Sequence, residues 1–453
     1  MSAASGGLWL ANPTAVWTGN PQDDAGGGVV VKDAQIVELV PQGAQPRTAC
    51  AERIDASGLV LLPGLVNTHH HFYQTLTRAL PAAQNKELFD WLGALYPVWA
   101  GMDEEAIAVS TELALAELLL SGCTTAADHH YVFSEAFANA IDIQVEVARR
   151  LGVRVTLTRG SMSLGQSSGG LPPDHLIESA ETILADSERL IAEYHDPSQD
   201  AMVQIALAPC SPFSVTGELM RDTAILARSQ GVRLHTHLAE TEDENDFCLA
   251  QFGLRPLPYL ETLDWVADDV WLAHGIHFDD DEIARIGAAG MGVCHCPSSN
   301  MLLASGLCRS LELEAAGAPV GLGVDGSASN DHSNMIQEVR QAFLLQRLRY
   351  GSAAVSADDA LRWATRGGAR LLGRPELGTL QVGAPADIAL FDLEELRFSG
   401  AGDPVAALLT CGASRAAHVM VNGQWRVQDG SLCDMDIADL RRRHEAAAAR
   451  LRG

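Results

Sequence analysis

Histidines and carboxylates recur where short apolar runs of this sequence end. The run Pro63-Gly-Leu-Val-Asn-Thr is followed by three histidines, His69, His70 and His71. On a β-strand alternate side chains share a face, so His69 and His71 would project together while His70 points away. Two imidazoles at i and i+2 form half of a zinc-type site, although such a pair also arises by chance.

Two further segments supply the remainder of such a site. In His235-Thr-His237-Leu-Ala-Glu240, His237 offers a third imidazole, and Glu240 can lean over the site without ligating. The run that ends Gly321-Leu-Gly-Val-Asp325 offers a carboxylate. Each group alone could be a capping or core residue, but polar groups at the same end of three strands favour metal binding. Three imidazoles and one carboxylate suit Zn2+, Fe2+ or Mn2+ and leave a position for water.

The same groups predict hydrolytic chemistry on a carbon that bears an amine. A divalent metal lowers the pKa of bound water from 15.7 to roughly 7 and so supplies hydroxide at neutral pH. Glu240 is placed to pass protons to a ring nitrogen and to the departing amine. His274 follows the run Val270-Trp-Leu-Ala and should face the metal-bound water. Together, His274 and Asp325 can hold this water and deprotonate it. His277 is expected to be peripheral, and His295 either positions the substrate or packs in the core.

The elements that must position these groups alternate between strand-like and helix-like segments. Eight short apolar runs end in polar residues, and most precede a helix-like stretch; they span residues 61–71, 124–130, 153–160, 203–210, 232–240, 270–277, 292–297 and 319–326. Eight such units predict a (β/α)8 barrel of the TIM type, in which chemistry lies where strands end.

Both ends of the chain have a β-like texture instead. Residues 9–64 and 376–430 contain short apolar runs divided by Gly, Pro and Asp, and Asn422-Gly423 is a hairpin signal. We therefore expect residues 1–64 and 376–453 to form one composite β-sandwich domain with a C-terminal helix. Residues 65–375 would form the catalytic barrel.

The amino-acid composition indicates which binding partners and which cellular compartment suit the protein. The formal net charge is −27, from 58 acidic and 31 basic residues, and this charge disfavours a nucleic-acid polymer as a partner. No apolar stretch long enough to span a membrane occurs, and the first residues do not resemble a secretory signal. The nine cysteines form no disulfide framework. These features predict a cytoplasmic protein that acts on a small molecule and has no membrane association. Barrels of this size often pair, so a homo-oligomer is an expected partner state.

Taken together, these motifs resemble the amidohydrolase superfamily, in particular its mononuclear, cytosine-deaminase-like branch. The similarity includes residues 63–71, 237–241, 273–274, 295–300, 325–330, 364–369 and 383–388. It implies metal ligands at His69, His71, His237 and Asp325, with Glu240 and His274 catalytic. Binuclear barrel hydrolases usually bridge two metals with a lysine from strand four, whereas here that strand ends Ala208-Pro-Cys210. One divalent metal is therefore expected, with Zn2+ favoured over Fe2+ and Mn2+.

The segment after the first strand indicates the substrate class. Residues 69–84 resemble the corresponding run of 8-oxoguanine deaminases, which convert 8-oxoguanine and water to urate and ammonia. Gln74 lies where guanine deaminases use a glutamine to bind the base, but Cys210 replaces the arginine of those enzymes. The apolar stretch 96–99 lacks a ribose-binding carboxylate, which favours a free base. The expected substrate-binding residues are Gln74, Arg159, Cys210 and His295, although Arg159 could instead form a salt bridge at the rim.

Several alternatives remain at this point. The nearest is an s-triazine aminohydrolase acting on a hydroxyatrazine-like ring, followed by a guanine or isocytosine deaminase and by an amide- or chloride-releasing member of the superfamily. A non-catalytic scaffold is disfavoured because all four ligands, Glu240 and His274 are present. A nucleic-acid editing deaminase is disfavoured because the His-x-Glu and Pro-Cys-x-x-Cys signature of that class is absent.

Overall fold

A computed structural model of the chain describes residues 6–453. Residues 1–5 lie outside the described residues, and with them most of the segment that does not resemble a secretory signal. The described strands are β1 (Gly7–Ala11), β2 (Ala15–Val16), β3 (Gly28–Lys32), β4 (Gln35–Val40), β5 (Cys50–Asp55), β6 (Leu59–Pro63), β7 (Leu65–Asn67), β8 (Cys123–His130), β9 (Arg154–Ser161), β10 (Val203–Pro209), β11 (Leu234–Leu238), β12 (Val270–His274), β13 (Gly292–His295), β14 (Val320–Leu322), β15 (Ile388–Asp392), β16 (His418–Val421), β17 (Gln424–Gln428) and β18 (Ser431–Leu432).

The α-helices are α1 (Leu88–Trp99), α2 (Glu104–Leu120), α3 (Ala140–Leu151), α4 (Ala180–Tyr194), α5 (Gly217–Gln230), α6 (Glu242–Phe252), α7 (Pro256–Glu261), α8 (Asp280–Ala289), α9 (Pro297–Leu302), α10 (Ser310–Ala316), α11 (Met335–Tyr350), α12 (Ala357–Arg362), α13 (Gly368–Leu371), α14 (Pro404–Ala407) and α15 (Ile437–Arg452). Short 3-10 turns include Phe72–Thr77 and Pro81–Ala83, and π turns occupy Trp363–Gly367 and Leu408–Gly412. None of the helices within residues 6–453 is long and apolar enough to cross a membrane.

The eight strands β7 to β14 pair in parallel and close into a barrel. Helices separate successive strands, and all eight strands are buried along almost their whole length because both faces are covered. The centre of the barrel is filled by small side chains around one large indole, that of Trp271, which packs with Ala127, Ala206 and Cys294. The predicted (β/α)8 architecture is confirmed, and the ends of its strands form the floor of the site.

The first predicted strand is interrupted. Instead of one run over residues 61–71, the chain leaves β6, which pairs with β15, and enters β7, which pairs with β8, with Gly64 between them. A Cβ at position 64 would lie 2.0 Å from the Thr124 hydroxyl oxygen, so only glycine allows this close crossing. Because β7 ends at Asn67, His69 and His71 lie beyond the strand rather than on it.

Two further sheets are built from the chain ends. One has the order β4-β3-β1-β5, and the other, β18-β17-β16-β15-β6-β2, joins strands from both termini. Apolar side chains from the two sheets, including Leu10, Val29, Leu61 and Met420, form one buried cluster between them. This confirms the sandwich that accompanies the barrel, whereas the domain boundaries at 64 and 376 stay a prediction.

The barrel and the sheets are joined by a buried ion pair. Arg154 of β9 donates to both carboxylate oxygens of Asp387, at 2.9 and 3.2 Å, and also to the carbonyl oxygen of Ala201 at 2.6 Å. Asp387 lies just before β15 and also accepts the backbone N–H of Asn422 at 2.7 Å. The C-terminal helix α15, assigned to the sheet domain from the sequence, bonds instead with the barrel side, where Arg443 donates to Glu112 of α2 at 2.9 Å.

Candidate metal and active site

Four of the predicted residues meet at the carboxyl end of the barrel. Asp325 Oδ1 lies 3.2 Å from His69 Nε2 and 3.3 Å from His71 Nε2. His237 Nε2 lies 3.2 Å from His71 Nε2. All four side chains are buried, with at most 9% of each residue exposed. The structure therefore brings together groups at or just beyond the ends of β7, β11 and β14, as the shared carboxyl end of a closed barrel requires.

The spacing of these atoms matches the coordination geometry of zinc. In a tetrahedral site with bonds of about 2.0–2.1 Å, two ligand atoms lie about 3.3–3.4 Å apart. The three measured separations are 3.2, 3.2 and 3.3 Å. His69 Nε2 is buried without a hydrogen-bond partner. Such an orphaned nitrogen is costly unless a cation accepts its lone pair, so these residues fit a divalent metal.

Hydrogen bonds at the other ring nitrogen fix the tautomers of the three imidazoles. His71 Nδ1 donates to the carbonyl oxygen of His129 at 2.6 Å, and His237 Nδ1 donates to that of Cys210 at 2.7 Å. His69 Nδ1 lies 2.8 Å from the Nε2 atom of His235. A carbonyl can only accept, so His71 and His237 keep their hydrogen on Nδ1 and present an Nε2 lone pair. This is the arrangement that hydrogen-bonding partners impose on metal-binding histidines.

Glu240 and His274 form a second group beside the first. Glu240 Oε2 lies 3.4 Å from His274 Nε2, and Glu240 Oε1 accepts a hydrogen bond from the Ser305 hydroxyl at 3.3 Å. The amide nitrogen of Asn300 donates to His274 Nδ1 at 3.0 Å. His274 therefore has its hydrogen on Nε2, opposite to His71 and His237, and faces the site as a donor.

Burial sets the charges of these groups. Burial raises the pKa of Glu240 well above its usual value, and the negative charges of Asp325 and Glu244 raise it further. Burial lowers the pKa of His274 to about 3, with the Asp325 charge opposing it. Burial also raises the pKa of Asp325, but the neighbouring imidazoles of His69, His71 and His274 outweigh burial and leave the pKa well below its usual value. The site thus pairs an ionised Asp325 with a Glu240 that holds a proton readily.

Three residues of the site adopt a left-handed backbone. Ala239, His274 and Asp325 have φ angles of 53°, 72° and 62°. Residues other than glycine enter this region at an energetic cost, and such residues concentrate at functional sites. Each lies at or just beyond a strand end, where the turn redirects the following side chains over the barrel opening. Glu244 stabilises the turn at Ala239 by accepting the backbone N–H groups of Ala239 and Glu240 at 3.0 and 2.9 Å.

A cavity lies directly over these groups. Gln74 and Cys210 line it, as the sequence predicts, together with His71, His237, Glu240, His274 and Asp325. Both amide atoms of Gln74 are buried without a hydrogen-bond partner. The cavity is also lined by residues that the sequence analysis did not propose as substrate-binding, which are Leu88, Trp91, Leu92, Tyr131, Phe213, Leu303 and Ser329. Most are apolar or aromatic and suit a flat ring, and most lie on connecting segments that motif spacing does not locate.

Arg159 does not contact this cavity, which corrects the prediction that it binds the base. Its guanidinium donates to Asp186 at 2.8 Å and to Glu178 at 2.9 and 3.0 Å, and it lies over the ring of Phe133. Arg159 sits on the face of β9 that is directed toward the surrounding helices. The alternative of a salt bridge is the one that the structure shows.

His295 is a second correction. It is fully buried, and its Nε2 atom lies 3.3 Å from the amide nitrogen of Gln346 on α11, away from the cavity. Cys294, the preceding residue of β13, faces the barrel centre instead. His277 is peripheral, as expected: it pairs with the exposed carboxylate of Glu242 at 2.9 Å.

Two buried histidines near the cluster were not identified as functional from the sequence. His129 of β8 stacks on His237 with ring centres 4.6 Å apart, and its ligand atom lies within 4.8 Å of those of His69, His71 and His237. His235 of β11 contacts His69. Strand alternation was the available signal, because His235 precedes His237 by two residues and shares its face.

Comparison with known proteins agrees with this geometry. Residues 60–426 match the amidohydrolase family. The chain is 62% identical to an 8-oxoguanine deaminase of Pseudomonas aeruginosa over 98% of both chains. It is 39% identical to a hydroxydechloroatrazine ethylaminohydrolase of a Pseudomonas species, over 91% of this chain and 89% of the relative.

A solved structure shows the same fold. The atrazine chlorohydrolase of Arthrobacter aurescens, crystallised in complex with zinc, superposes with a TM-score of 0.91 at 33% identity, covering 97% of this chain and all of that one. The family match spans the barrel and most of the sheet β18-β17-β16-β15-β6-β2. A divalent metal is consistent with the histidine cluster. This chain belongs to the amidohydrolase family.

Proposed function

We propose that this chain is a metal-dependent deaminase that hydrolyses 8-oxoguanine to urate and ammonia. The observation that supports it most directly is the cavity that Gln74, with two unpaired amide atoms, shares with Glu240, His274 and Asp325. The 62% identity to an 8-oxoguanine deaminase over nearly the full length supports the same substrate.

One divalent cation, with Zn2+ favoured, would be held by His69, His71, His237 and Asp325. When bound, it supplies a Lewis acid that makes water acidic enough to provide hydroxide at neutral pH. The low pKa of Asp325 keeps its carboxylate ionised as an acceptor for a water proton. His274, with its hydrogen on Nε2, orients the oxygen that attacks the carbon bearing the amine.

Glu240 would move the protons of the reaction. Its carboxyl lies in the same cavity, and its raised pKa favours the protonated state that can donate to a ring nitrogen. Having donated, the carboxylate takes a proton from the attacking water and delivers it to the amine, which leaves as ammonia. General acid–base catalysis of this kind contributes about 10²- to 10⁴-fold to a rate.

Gln74 would orient the base. A primary amide pairs best with a neighbouring N–H and C=O, and 8-oxoguanine presents such an edge on both of its rings. None of the described side chains that line the cavity belongs to arginine or lysine, and Cys210 occupies the position where guanine deaminases carry an arginine. This favours 8-oxoguanine over guanine.

A substrate panel tests the proposal. Release of ammonia from 8-oxoguanine, guanine and isocytosine, and of ethylamine from a hydroxylated, ethylamino-substituted s-triazine, is measured side by side with the zinc-loaded protein. We expect the highest kcat/KM with 8-oxoguanine, with urate formed in equal amount to ammonia. Preferential turnover of the triazine would support the second candidate, which the 39% identical aminohydrolase favours. Turnover of no purine would contradict the proposed function.

A further inference from the structure

His235 and His69 form a hydrogen-bonded chain that ends on a backbone carbonyl. His235 Nδ1 lies 2.8 Å from the carbonyl oxygen of Trp271, and His235 Nε2 lies 2.8 Å from His69 Nδ1. The His235 ring also stacks on the Trp271 indole, with centres 4.3 Å apart and planes 12° apart. His235 is 1% exposed. Its ring is therefore held in place at both nitrogens and on one face.

The direction of this chain follows from its last member. The Trp271 carbonyl has no hydrogen to give, so His235 Nδ1 must donate to it. The neutral His235 ring then has a lone pair at Nε2, which can only accept. His69 Nδ1 must therefore donate to His235, which leaves the lone pair of His69 on Nε2, the atom 3.2 Å from Asp325.

His69 differs in this respect from its two neighbours. His71 and His237 donate to carbonyl oxygens, which accept whatever the state of the ring. His69 donates to another imidazole, whose own hydrogen could occupy either nitrogen if nothing fixed it. If His235 carried its hydrogen on Nε2, His69 would accept at Nδ1, protonate at Nε2 and lose its capacity to bind a metal.

We infer that His235 is a positioning residue that holds the His69 imidazole in its metal-binding tautomer. It does so because its hydrogen bond to the Trp271 carbonyl keeps its own Nε2 atom as an acceptor for His69. The inference rests on the cation site proposed above. It assigns His235 no contact with the substrate or with the cation. Partners of metal-binding histidines typically change metal affinity by about 10- to 100-fold when they are removed.

The test measures zinc affinity, by competition with a chelator, in three variants. His235→Phe keeps the ring over Trp271 but removes the acceptor, and we expect zinc to bind about 10- to 100-fold more weakly. His235→Gln restores an acceptor oxygen at the distance of Nε2 and should bind zinc within about threefold of the unmodified chain, since Gln can replace that one hydrogen bond. His130→Phe is the matched control: His130 is also fully buried on the barrel wall, but packs against Tyr73 and Phe133.

The outcomes separate this inference from the proposed function. Wild-type affinity in His235→Phe would overturn the role of His235 alone, whereas an unmodified chain that does not retain zinc would overturn the cation site as well. If His235→Phe does not fold, 15N NMR of histidine in the unmodified, zinc-loaded protein decides. A hydrogen on Nδ1 of His235 supports the inference, and a hydrogen on Nε2 contradicts it.

Discussion

Replacement of Glu240 by glutamine isolates proton transfer from every other function of the site. The side chain keeps its length, and its oxygen can still accept from Ser305, which lies 3.3 Å from Glu240 Oε1. The amide cannot accept or release a proton at neutral pH. Glu240 is outside the cluster formed by His69, His71, His237 and Asp325, so we expect the metal content of the variant to be unchanged.

The expected size of the effect follows from these contacts. A weakened hydrogen bond to His274, whose Nε2 lies 3.4 Å from Glu240 Oε2, would change a free energy by about 1 kcal/mol, which is about fivefold in rate. Loss of general acid–base catalysis costs about 10²- to 10⁴-fold. The second term is larger, so we predict a decrease in kcat of about 10²- to 10⁴-fold, or about 3–5 kcal/mol.

The assay measures ammonia and urate formation from 8-oxoguanine, with metal content determined by elemental analysis on the same samples. Glu242→Gln is the matched control, because the Glu242 side chain is 74% exposed, pairs with peripheral His277 and accepts a hydrogen bond from Asn245. It should retain wild-type turnover. If Glu240→Gln retained its metal and lost less than about tenfold in kcat, proton transfer by Glu240 would be refuted and a hydrogen-bonding role would remain.

Three further predictions follow. Gln74→Leu should lower kcat/KM for 8-oxoguanine by about 10- to 100-fold yet raise thermal stability, because it removes two unpaired buried amide atoms; lower stability would contradict this. Asp387→Asn should lower the free energy of unfolding in urea by about 3–5 kcal/mol, because it leaves the Arg154 charge buried without its partner; a change below about 1 kcal/mol would contradict it. Burial lowers the pKa of His295 to about 3, so the unfolded chain, with a pKa near 6.5, binds its proton first as pH falls. The contribution of His295 to the free energy of unfolding is present above pH ~6.5 and decreases as the pH falls. His295→Gln should therefore reduce the loss of unfolding free energy between pH ~7 and pH ~5 by about 2 kcal/mol. An unchanged pH dependence of unfolding would contradict it.

The sequence determined the barrel and the groups available at its opening. Eight repeated units, each an apolar run with polar residues at its end, suffice for the closed parallel sheet. Because parallel strands all present their carboxyl ends on one side, His69, His237 and Asp325 had to lie near one another once the barrel closed. That inference needed only chain order and the shape of a barrel.

Local spacing could not determine which face of a strand meets the cavity. Arg159 and His295 lie near the ends of strands as His237 does, yet both point toward the helices, while Thr158 and Cys294 occupy the alternate positions. Alternation gives the relative orientation of neighbouring side chains, whereas the absolute orientation depends on how adjacent strands are staggered. The break at Gly64 likewise depends on Thr124, a contact between residues 60 positions apart.

The tautomers of the cluster also required the tertiary structure. The hydrogen on His69 is placed by His235 and by the carbonyl of Trp271, more than 200 residues away in the chain. The sequence alone shows that an imidazole can donate one hydrogen bond and accept another, because this capacity follows from the residue type. Which nitrogen keeps the hydrogen is decided by the partners that the fold brings within hydrogen-bonding distance, since the two tautomers differ little in energy until a neighbour selects one.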